Sequence, residues 1–325
     1  MTASHEQDWD NYWQGRAAQS SGEALIGVGI EDNARLSAFW IQIFQAMPKT
    51  ARIADFACGA GSALKHAHGA GFSDLTGIDI AADAINVLKK AIPSVKGCVS
   101  SVTSTPFIDD TFDGLVSQFG FEYAGGEKDV LATAREMARL MSPSGVFAAI
   151  AHMKGGAIEK ESLVSLNNIQ QVIDSNFISC AQDMFRAAYA ADESLSPQTQ
   201  EASLKSLIAM GQAEGKIVLW LRSAEAKGNE FARFAHYLVT STREMFERRK
   251  MLPLKECLQW LEDMEGETMA YQGRMKSMVE AALSKEMTQK IMTVFADSGF
   301  ETSEPEPFYF DPSELPVAWT LRAKR

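Results

Sequence analysis

Residues 52–64 read RIADFACGAGSAL, and this stretch decides the fold prediction for the whole chain. An apolar run that contains one acid, Asp55, leads into Gly59-Ala60-Gly61 and then into a helical pattern. Glycines in such a turn allow backbone conformations that other residues avoid, and they let N–H groups approach a ligand. The stretch therefore predicts a strand, a glycine turn and a helix that together bind a nucleotide.

Two details narrow the kind of nucleotide. Leu64 stands where a dinucleotide fingerprint needs its third glycine, and Asp55 lies four residues before Gly59. This combination resembles the first motif of the class I S-adenosylmethionine-dependent methyltransferases, in which an acid ends the first strand. The resemblance implies that Ala57, Gly59 and Gly61 lie beside S-adenosylmethionine and that Asp55 lies near its amino group.

The second predicted strand, residues 74–79, ends on an acid eighteen residues after Gly61. A carboxylate at about this spacing meets the ribose hydroxyls in nucleotide-binding folds. We predict that Asp79 binds the ribose of the cofactor and that Ile80 lies beside it. The alternative is that Asp79 only caps the helix predicted to begin near Ala82.

A third short strand, residues 95–100, leads into SVTSTPFIDDTFD at residues 101–113. This run is similar to a family pattern of acid, small residue, spacer and then Pro-Phe-x-Asp-x-Ser/Thr-Phe-Asp. Ser101 takes the place where many members have an aspartate that accepts from the adenine amino group. The resemblance implies that the Ser101 hydroxyl and the Val102 N–H meet the adenine ring.

Candidate catalytic residues follow strands four and five, residues 114–119 and 145–152, the second of which is preceded by a predicted turn at residues 141–145. The resemblance places Gln118 beside the cofactor and Glu122 or Tyr123 near the substrate. His152 ends strand five, at the edge where parallel sheets bind ligands, and its ordinary pKa near neutrality suits a general base. A hydrogen-bonded turn histidine is the alternative. The Asn/Asp-Pro-Pro-Tyr/Phe motif of enzymes that methylate DNA bases or glutamine is absent, which argues against those substrates.

Residues 1–50 are rich in aromatics at helical spacing, and they predict a helical cap. The cap either packs on the main domain or forms a lid. In similar small-molecule methyltransferases such a segment commonly closes over the ligands, which implies contact of Tyr12, Trp13 and Arg16 with the cofactor or substrate.

Only helical patterns occur between Gly156 and about Gly299, so we predict an α-helical insertion at residues 156–286. Family insertions at this place form a substrate cover or a dimer interface. Ser-Gly-Phe at residues 298–300 and a closing run at residues 316–324 resemble the end of the family's sheet, where the last strand is antiparallel.

The predicted fold class is α/β, with a doubly wound, mostly parallel, seven-stranded Rossmann-like sheet. The methyltransferase domain comprises residues 51–155 and 287–325, the N-terminal helical cap comprises residues 1–50, and the helical insertion lies between strands five and six.

Composition limits the possible partners and location. The 325-residue chain carries a net charge of −11, which gives no basic field for a nucleic acid. Its four cysteines are far apart and form no Cys-x-x-Cys pair, so neither disulfides nor a metal site is indicated. The polar start at residues 1–10 does not resemble a signal peptide, and no apolar run approaches the roughly 20 residues of a membrane span. We therefore expect a cytoplasmic protein that acts on a small molecule. A homodimer through the insertion stays open, as the alternative to a substrate cover.

These features predict S-adenosylmethionine-dependent methyl transfer to a small molecule, with S-adenosylhomocysteine as the product. The acceptor atom, O, N or C, stays open, and so does the need for a base. Two alternatives also stay open: a non-catalytic cofactor-binding regulator or scaffold of the same fold, and an NAD(P)-dependent oxidoreductase, which Leu64 and Asp55 disfavour.

Overall fold

The computed structural model describes residues 34–223, 226–227 and 230–325 of the chain. Contacts divide it into two compact units, of which one comprises the described residues up to Lys160 together with Ser277–Arg325, and the other is Glu161–Lys276. The strands are β1 Ile53–Phe56, β2 Leu75–Asp79, β3 Lys96–Val99, β4 Phe112–Gln118, β5 Met141–His152, β6 Glu301–Thr302, β7 Glu306–Phe308 and β8 Ala318–Lys324. The α-helices are α1 Ala34–Gln45, α2 Ser62–Gly69, α3 Ala82–Ala91, α4 Glu127–Leu140, α5 Ala157–Ser175, α6 Phe177–Glu193, α7 Pro197–Leu221, α8 Glu230–Glu247, α9 Leu254–Ala281 and α10 Lys285–Asp297.

The first unit is built on one sheet with the strand order β3-β2-β1-β4-β5-β8-β6, and β7 also pairs with β8. Strands β1 to β5 are parallel, and β8 is antiparallel to β5. The chain order of the strands reverses between β1 and β4, and ligands bind at such a switch point in open α/β sheets. The α/β fold class and the mostly parallel sheet are confirmed.

The number of strands differs from the prediction, because the sheet has eight strands and the sequence predicts seven. The edge beyond β8 is formed by two short pieces, since β6 pairs with Ala323 and Lys324 whereas β7 pairs with residues 318–320. Pro305 lies in the interruption, and a proline has no N–H to donate to a ladder.

The predicted turn at residues 141–145 is also wrong. These residues belong to β5, which advances from Met141 to Val146 while β4 advances only from Phe112 to Gly114.

Apolar side chains cover both faces of this sheet, as expected when helices flank a parallel sheet on both sides. One buried cluster joins the sheet to α4 and α10 and includes Phe56, Phe147 and Phe295. The other joins it to α1, α2 and α3 and includes Trp40 and Leu88. Successive residues of β1 alternate between the two clusters, because side chains alternate across a strand. The result is a three-layer core that fixes the carboxyl ends of the strands.

The second unit is helical throughout its described residues. Helices α6 and α7 pack against each other, and Phe185 of α6 contacts Phe246 of α8 with ring centroids 5.7 Å apart. The Tyr189 hydroxyl lies 2.7 and 2.6 Å from the carbonyl oxygens of Arg249 and Leu252. Within the described ranges, no helix has the length and apolar character that crossing a bilayer requires.

An ion pair at the amino ends of β1 and β4 joins the two central strands. Arg52 donates from Nε to Asp113 Oδ2 and from Nη2 to Asp113 Oδ1, both at 3.0 Å, and its backbone N–H also bonds Oδ2. The hydrogen bonds from the Arg52 side chain are the main cause that lowers the pKa of Asp113 to about 2. Because this folded-state pKa lies below the usual value, the stabilisation is complete above about pH 4 and is lost as the pH falls towards 2.

We therefore expect Asp113→Asn to lower the free energy of unfolding by about 1 kcal/mol at pH 7, after allowance for solvent screening of the arginine. Urea unfolding of both proteins between pH 7 and pH 3 measures the difference, which should shrink as the pH falls. Asp110→Asn, three residues earlier and outside β4, is the matched control. An equal effect of the two substitutions, or a difference that does not depend on pH, contradicts the prediction.

Candidate functional site

The carboxyl ends of β1, β2, β4 and β5 bring most of the predicted site residues to one edge of the sheet. The turn after β1 contains three residues with positive φ, which are Ala57 at 54°, Gly59 at 49° and Gly61 at 80°. The Gly61 N–H bonds the Cys58 carbonyl at 2.7 Å. A Cβ atom on Gly61 would lie 2.3 Å from Leu88 Cδ1, so the helix α3, which contains Leu88, packs directly against the turn. Both its conformation and its packing require glycine here.

Asp79 holds this turn against the end of β2. Its Oδ2 accepts from the Gly59 N–H at 2.9 Å, and its Oδ1 accepts from the Ala81 N–H at 3.0 Å. The second bond holds Ala81, the residue immediately before α3, and the alternative that Asp79 caps this helix stays open. A carboxylate offers about four acceptor positions, so it can accept from several donors at once. Ribose binding by Asp79 stays a prediction, as does the position of the half-buried Ile80 beside the cofactor.

Asp55 is an unusual group within β1, because its carboxyl is only 2% exposed. Within the described part of the chain, its Oδ1 is buried and has no hydrogen-bond partner. Burial raises the pKa of Asp55 well above its usual value, and the neighbouring charge of Asp79 raises it further. A cationic ligand group would favour the ionised carboxylate. Asp55 and Asp79 thus form a buried acidic pair beside the glycine turn.

The loop after β3 is fixed by contacts that the sequence analysis did not anticipate. The Ser101 hydroxyl lies 2.8 Å from the Thr103 hydroxyl and accepts from the Thr103 N–H at 3.3 Å, while Val102 is buried. Farther along, Glu136 accepts from the N–H and hydroxyl of Thr105, and Arg139 bonds Glu136 through two nitrogens. The adenine role of Ser101 and Val102 stays a prediction, and it uses a loop anchored to α4.

Gln118, predicted beside the cofactor, ends β4 and contacts the helix α1. Its Oε1 accepts from Nε1 of the fully buried Trp40 at 2.6 Å. The sequence analysis missed Trp40, since 78 residues separate the two and no local signal connects them. This bond fixes the side-chain amide of Gln118 at the switch point of the sheet.

Glu122 and His152 form a buried pair at the ends of β4 and β5, and each is 1% exposed. Glu122 lies in a single 3₁₀ turn, Phe121–Ala124, that follows β4. Its Oε1 accepts from the backbone N–H of His152 at 2.9 Å and lies 2.7 Å from the ring Nδ1. A hydrogen on Nδ1 is donated to the carboxylate in this arrangement, which leaves Nε2 as an acceptor. Within the described residues, His152 Nε2 and Glu122 Oε2 are buried and have no partner.

Aromatic rings enclose the histidine of this pair. The ring centroid of Phe119 lies 4.7 Å from that of His152, and Tyr123 meets His152 edge to face at 5.5 Å. Phe119 has a positive φ of 50°. The next residue, Gly120, approaches β1 so closely that a Cβ atom there would lie 2.5 Å from the Ala57 carbonyl oxygen. Two strained non-glycine residues, Ala57 and Phe119, therefore occur where β1 and β4 end, as is common at functional sites.

The remaining predicted contacts, Tyr12, Trp13 and Arg16, fall outside the described residues. The structure thus places Asp55, Ala57, Gly59, Gly61 and Asp79 together around the first turn and brings Glu122, Tyr123 and His152 together at the neighbouring strand ends. Where side chains are described, no group of three or more His, Cys, Asp or Glu residues could hold a metal ion.

Comparisons with known proteins find a similarity within the first half of the chain. Residues 54–149 match the family model described as a methyltransferase domain. No curated protein matches at a significant level.

The solved structures named here have a sequence identity to the chain of less than 25%. The YcgJ protein from Bacillus subtilis is 22% identical over 42% of this chain and 58% of its own, with a TM-score of 0.35. A SAM-dependent methyltransferase from Methanosarcina mazei is 24% identical over 35% of this chain and 57% of its own, with a TM-score of 0.32. The chain therefore spans less than two thirds of the length of these structures. Residues 54–149, which contain the turn and the acids described above, are thus similar to methyltransferase domains.

Proposed function

We propose that the protein binds S-adenosylmethionine at the glycine turn and transfers its methyl group to a small-molecule acceptor. The observation that carries the proposal is the buried pair of Asp55 and Asp79 beside a turn in which Gly59 and Gly61 have positive φ. S-Adenosylmethionine carries an amino group and a sulfonium, both positively charged, and positive charge near Asp55 offsets the cost of burying its carboxylate. A dinucleotide would instead bring a negatively charged pyrophosphate to these two acids.

In the proposed complex, the turn, the two acids and the loop after β3 each bind a different part of the cofactor. Asp55 binds the amino group, and Asp79 accepts from the ribose hydroxyls while it holds Gly59. The short Gly59-Ala60-Gly61 turn lies under the methionine part, and the loop at Ser101 and Val102 meets the adenine. The proposed lid contacts of Tyr12, Trp13 and Arg16 complete the enclosure.

The bound cofactor supplies an electrophilic methyl group on a positively charged sulfur, and this group needs no covalent activation by the protein. The chain's contribution is to align the acceptor with that methyl group and to exclude water. In this proposal, His152 Nε2 receives a proton from an acceptor hydroxyl, while Glu122 holds the ring through Nδ1. A carbon or amine acceptor without a proton to lose uses the same alignment without the base. Tyr123 lies against His152 and is the third candidate for substrate contact.

The acceptor is a small molecule in this proposal, because the net charge of −11 disfavours a nucleic acid partner. The helical insertion, residues 156–286, is the proposed substrate cover or dimer interface, and residues 1–50 are the proposed cap. Cytoplasmic location is part of the same proposal.

A second candidate function is a cofactor-binding regulator without turnover. The burial of Glu122 and His152, each 1% exposed, favours it, because a closed acceptor side would leave only the cofactor site in use.

A methyl-transfer screen separates the two candidates. The protein is incubated with S-adenosylmethionine labelled on its methyl group and with a panel of small metabolites that carry hydroxyl, amine or activated carbon acceptors. We expect S-adenosylhomocysteine to form only when an acceptor is present, and the methylated acceptor to carry the label. Tight cofactor binding with no acceptor-dependent turnover in any member of the panel would favour the regulator.

A further inference from the structure

Helix α7, Pro197–Leu221, is apolar on two opposite sides. One side is buried within the helical unit through Met210, Ala213, Ile217 and Trp220. The other side faces solvent and presents four large apolar residues, which are Leu204 at 60% exposure, Leu207 at 39%, Ile208 at 54% and Leu219 at 73%. A surface helix ordinarily has a polar outer face, so a second apolar stripe indicates a second packing partner.

Two glycines interrupt this exposed stripe, Gly211 and Gly215. Each costs roughly 1 kcal/mol of helix stability relative to alanine in a helix interior. Neither is required by a contact within the chain, because a Cβ atom built on either glycine meets nothing within 4 Å. Glycines on an exposed helix face let the backbone of another helix approach closely. The stripe therefore has a shallow groove at its centre and large side chains on both sides of it.

The spacing of the stripe is the same in both directions along the helix. Leu204 and Ile208 are four positions apart, and so are Gly215 and Leu219. Between these pairs, Ile208 and Gly215 are seven positions apart. A twofold axis that crosses α7 between residues 211 and 212 would bring the Ile208 side chain of each copy over Gly215 of the other. The same axis would place Leu204 of each copy beside Leu219 of the other. A large side chain thus meets a glycine groove on both sides of the axis.

Charges at the two ends of the stripe obey the same symmetry. Glu201 and Arg222 are equally far from the midpoint, and both are exposed. Antiparallel pairing brings the carboxylate of one copy to the guanidinium of the other, whereas parallel pairing brings like charges together. Glu201 has an ion pair with Lys205 in its own helix, and Arg222 has none to a described residue.

We propose that α7 packs against α7 of a second copy of this chain in antiparallel orientation, with Ile208 of each copy over Gly215 of the other. This interface is independent of the methyl-transfer function, and it assigns a specific surface to a homodimer. Two helices of this length bury less area than a standard interface, so we expect dissociation constants on the order of 1 to 100 µM.

Sedimentation velocity over a concentration series that brackets this range tests the interface with the full chain. The wild type should shift from monomer to dimer, and Ile208→Glu should stay monomeric. Gly215→Leu should also stay monomeric, although it removes a helix-interior glycine and should not destabilise the folded chain. Met251→Glu is the matched control, because Met251 is 78% exposed and lies outside α7. A wild type that is monomeric throughout, or a dimer that both α7 substitutions leave intact, overturns the proposal.

The orientation is tested separately by oxidative cross-linking. Antiparallel packing predicts that Leu204→Cys and Leu219→Cys proteins form a covalent dimer when mixed, and that neither forms one alone. Parallel packing predicts the reverse, a covalent dimer of each variant by itself, and this outcome would refute the geometry. The wild type, with its four native cysteines, is oxidised in parallel as the background.

Discussion

Replacement of Asp79 by alanine is expected to weaken S-adenosylmethionine binding by at least tenfold and up to about 100-fold. The substitution removes the acceptor of the Gly59 N–H and of the Ala81 N–H, so the glycine turn and the start of α3 lose a shared support. It also removes the proposed acceptor of the ribose hydroxyls. A hydrogen bond to a charged group contributes roughly 1.5 to 3 kcal/mol, and 1.4 kcal/mol corresponds to tenfold in affinity.

Isothermal titration of both proteins with the cofactor measures this change, and thermal unfolding shows whether the variant is folded. Asp83→Asn is the matched control, because it also removes a carboxylate from the beginning of α3 while it leaves the turn intact. Its affinity should equal that of the wild type. A folded Asp79→Ala protein with unchanged affinity would remove Asp79 from the cofactor site.

The second large effect is expected at the Glu122–His152 pair. With a hydroxyl acceptor, His152→Gln should lower kcat by roughly 100-fold to 1,000-fold, the range in which general bases contribute. Cofactor affinity should not change, since His152 lies at the end of β5 and the glycine turn follows β1. Glu122→Gln keeps the shape of the side chain and an acceptor for His152, so it should have a smaller effect, about tenfold.

The pH dependence of kcat distinguishes a catalytic pair from a structural one. A general base acts only in its unprotonated form, so His152→Gln should abolish the acidic limb of the kcat profile, whereas a structural pair predicts an unchanged limb. His68→Gln, on the exposed end of α2, is the control and should leave the profile unchanged. Equal loss of activity and of thermal stability in both variants, with the same pH profile, would make the pair structural.

The parts of the site that the sequence predicts well are local in the chain. Asp55, the glycine turn and α2 follow one another within residues 52–64, and the positive φ values there explain why glycine is needed. Asp79 is predicted by its spacing, because a strand–helix–strand unit fixes the distance between the two strand ends along the chain. Its bond to the Gly59 N–H shows that this acid also supports the turn.

Contacts between distant residues are what the sequence could not predict. Glu122 and His152 are candidates from their positions, but their hydrogen bond depends on β4 and β5 being neighbours. The Trp40–Gln118 bond joins residues 78 positions apart. Likewise, the helical pattern of α7 predicts a helix, and only the exposure of its side chains in the fold shows that it has a second apolar face. Pairing of this kind is decided by tertiary packing, which periodicity does not encode.

The central claim is that the buried acids and the glycine turn select S-adenosylmethionine over a dinucleotide. Calorimetric titration of the purified full-length protein with S-adenosylmethionine, S-adenosylhomocysteine and NAD tests it most directly. We predict saturable binding of both S-adenosyl compounds and no measurable binding of NAD. Binding of NAD without binding of either S-adenosyl compound would contradict the assignment.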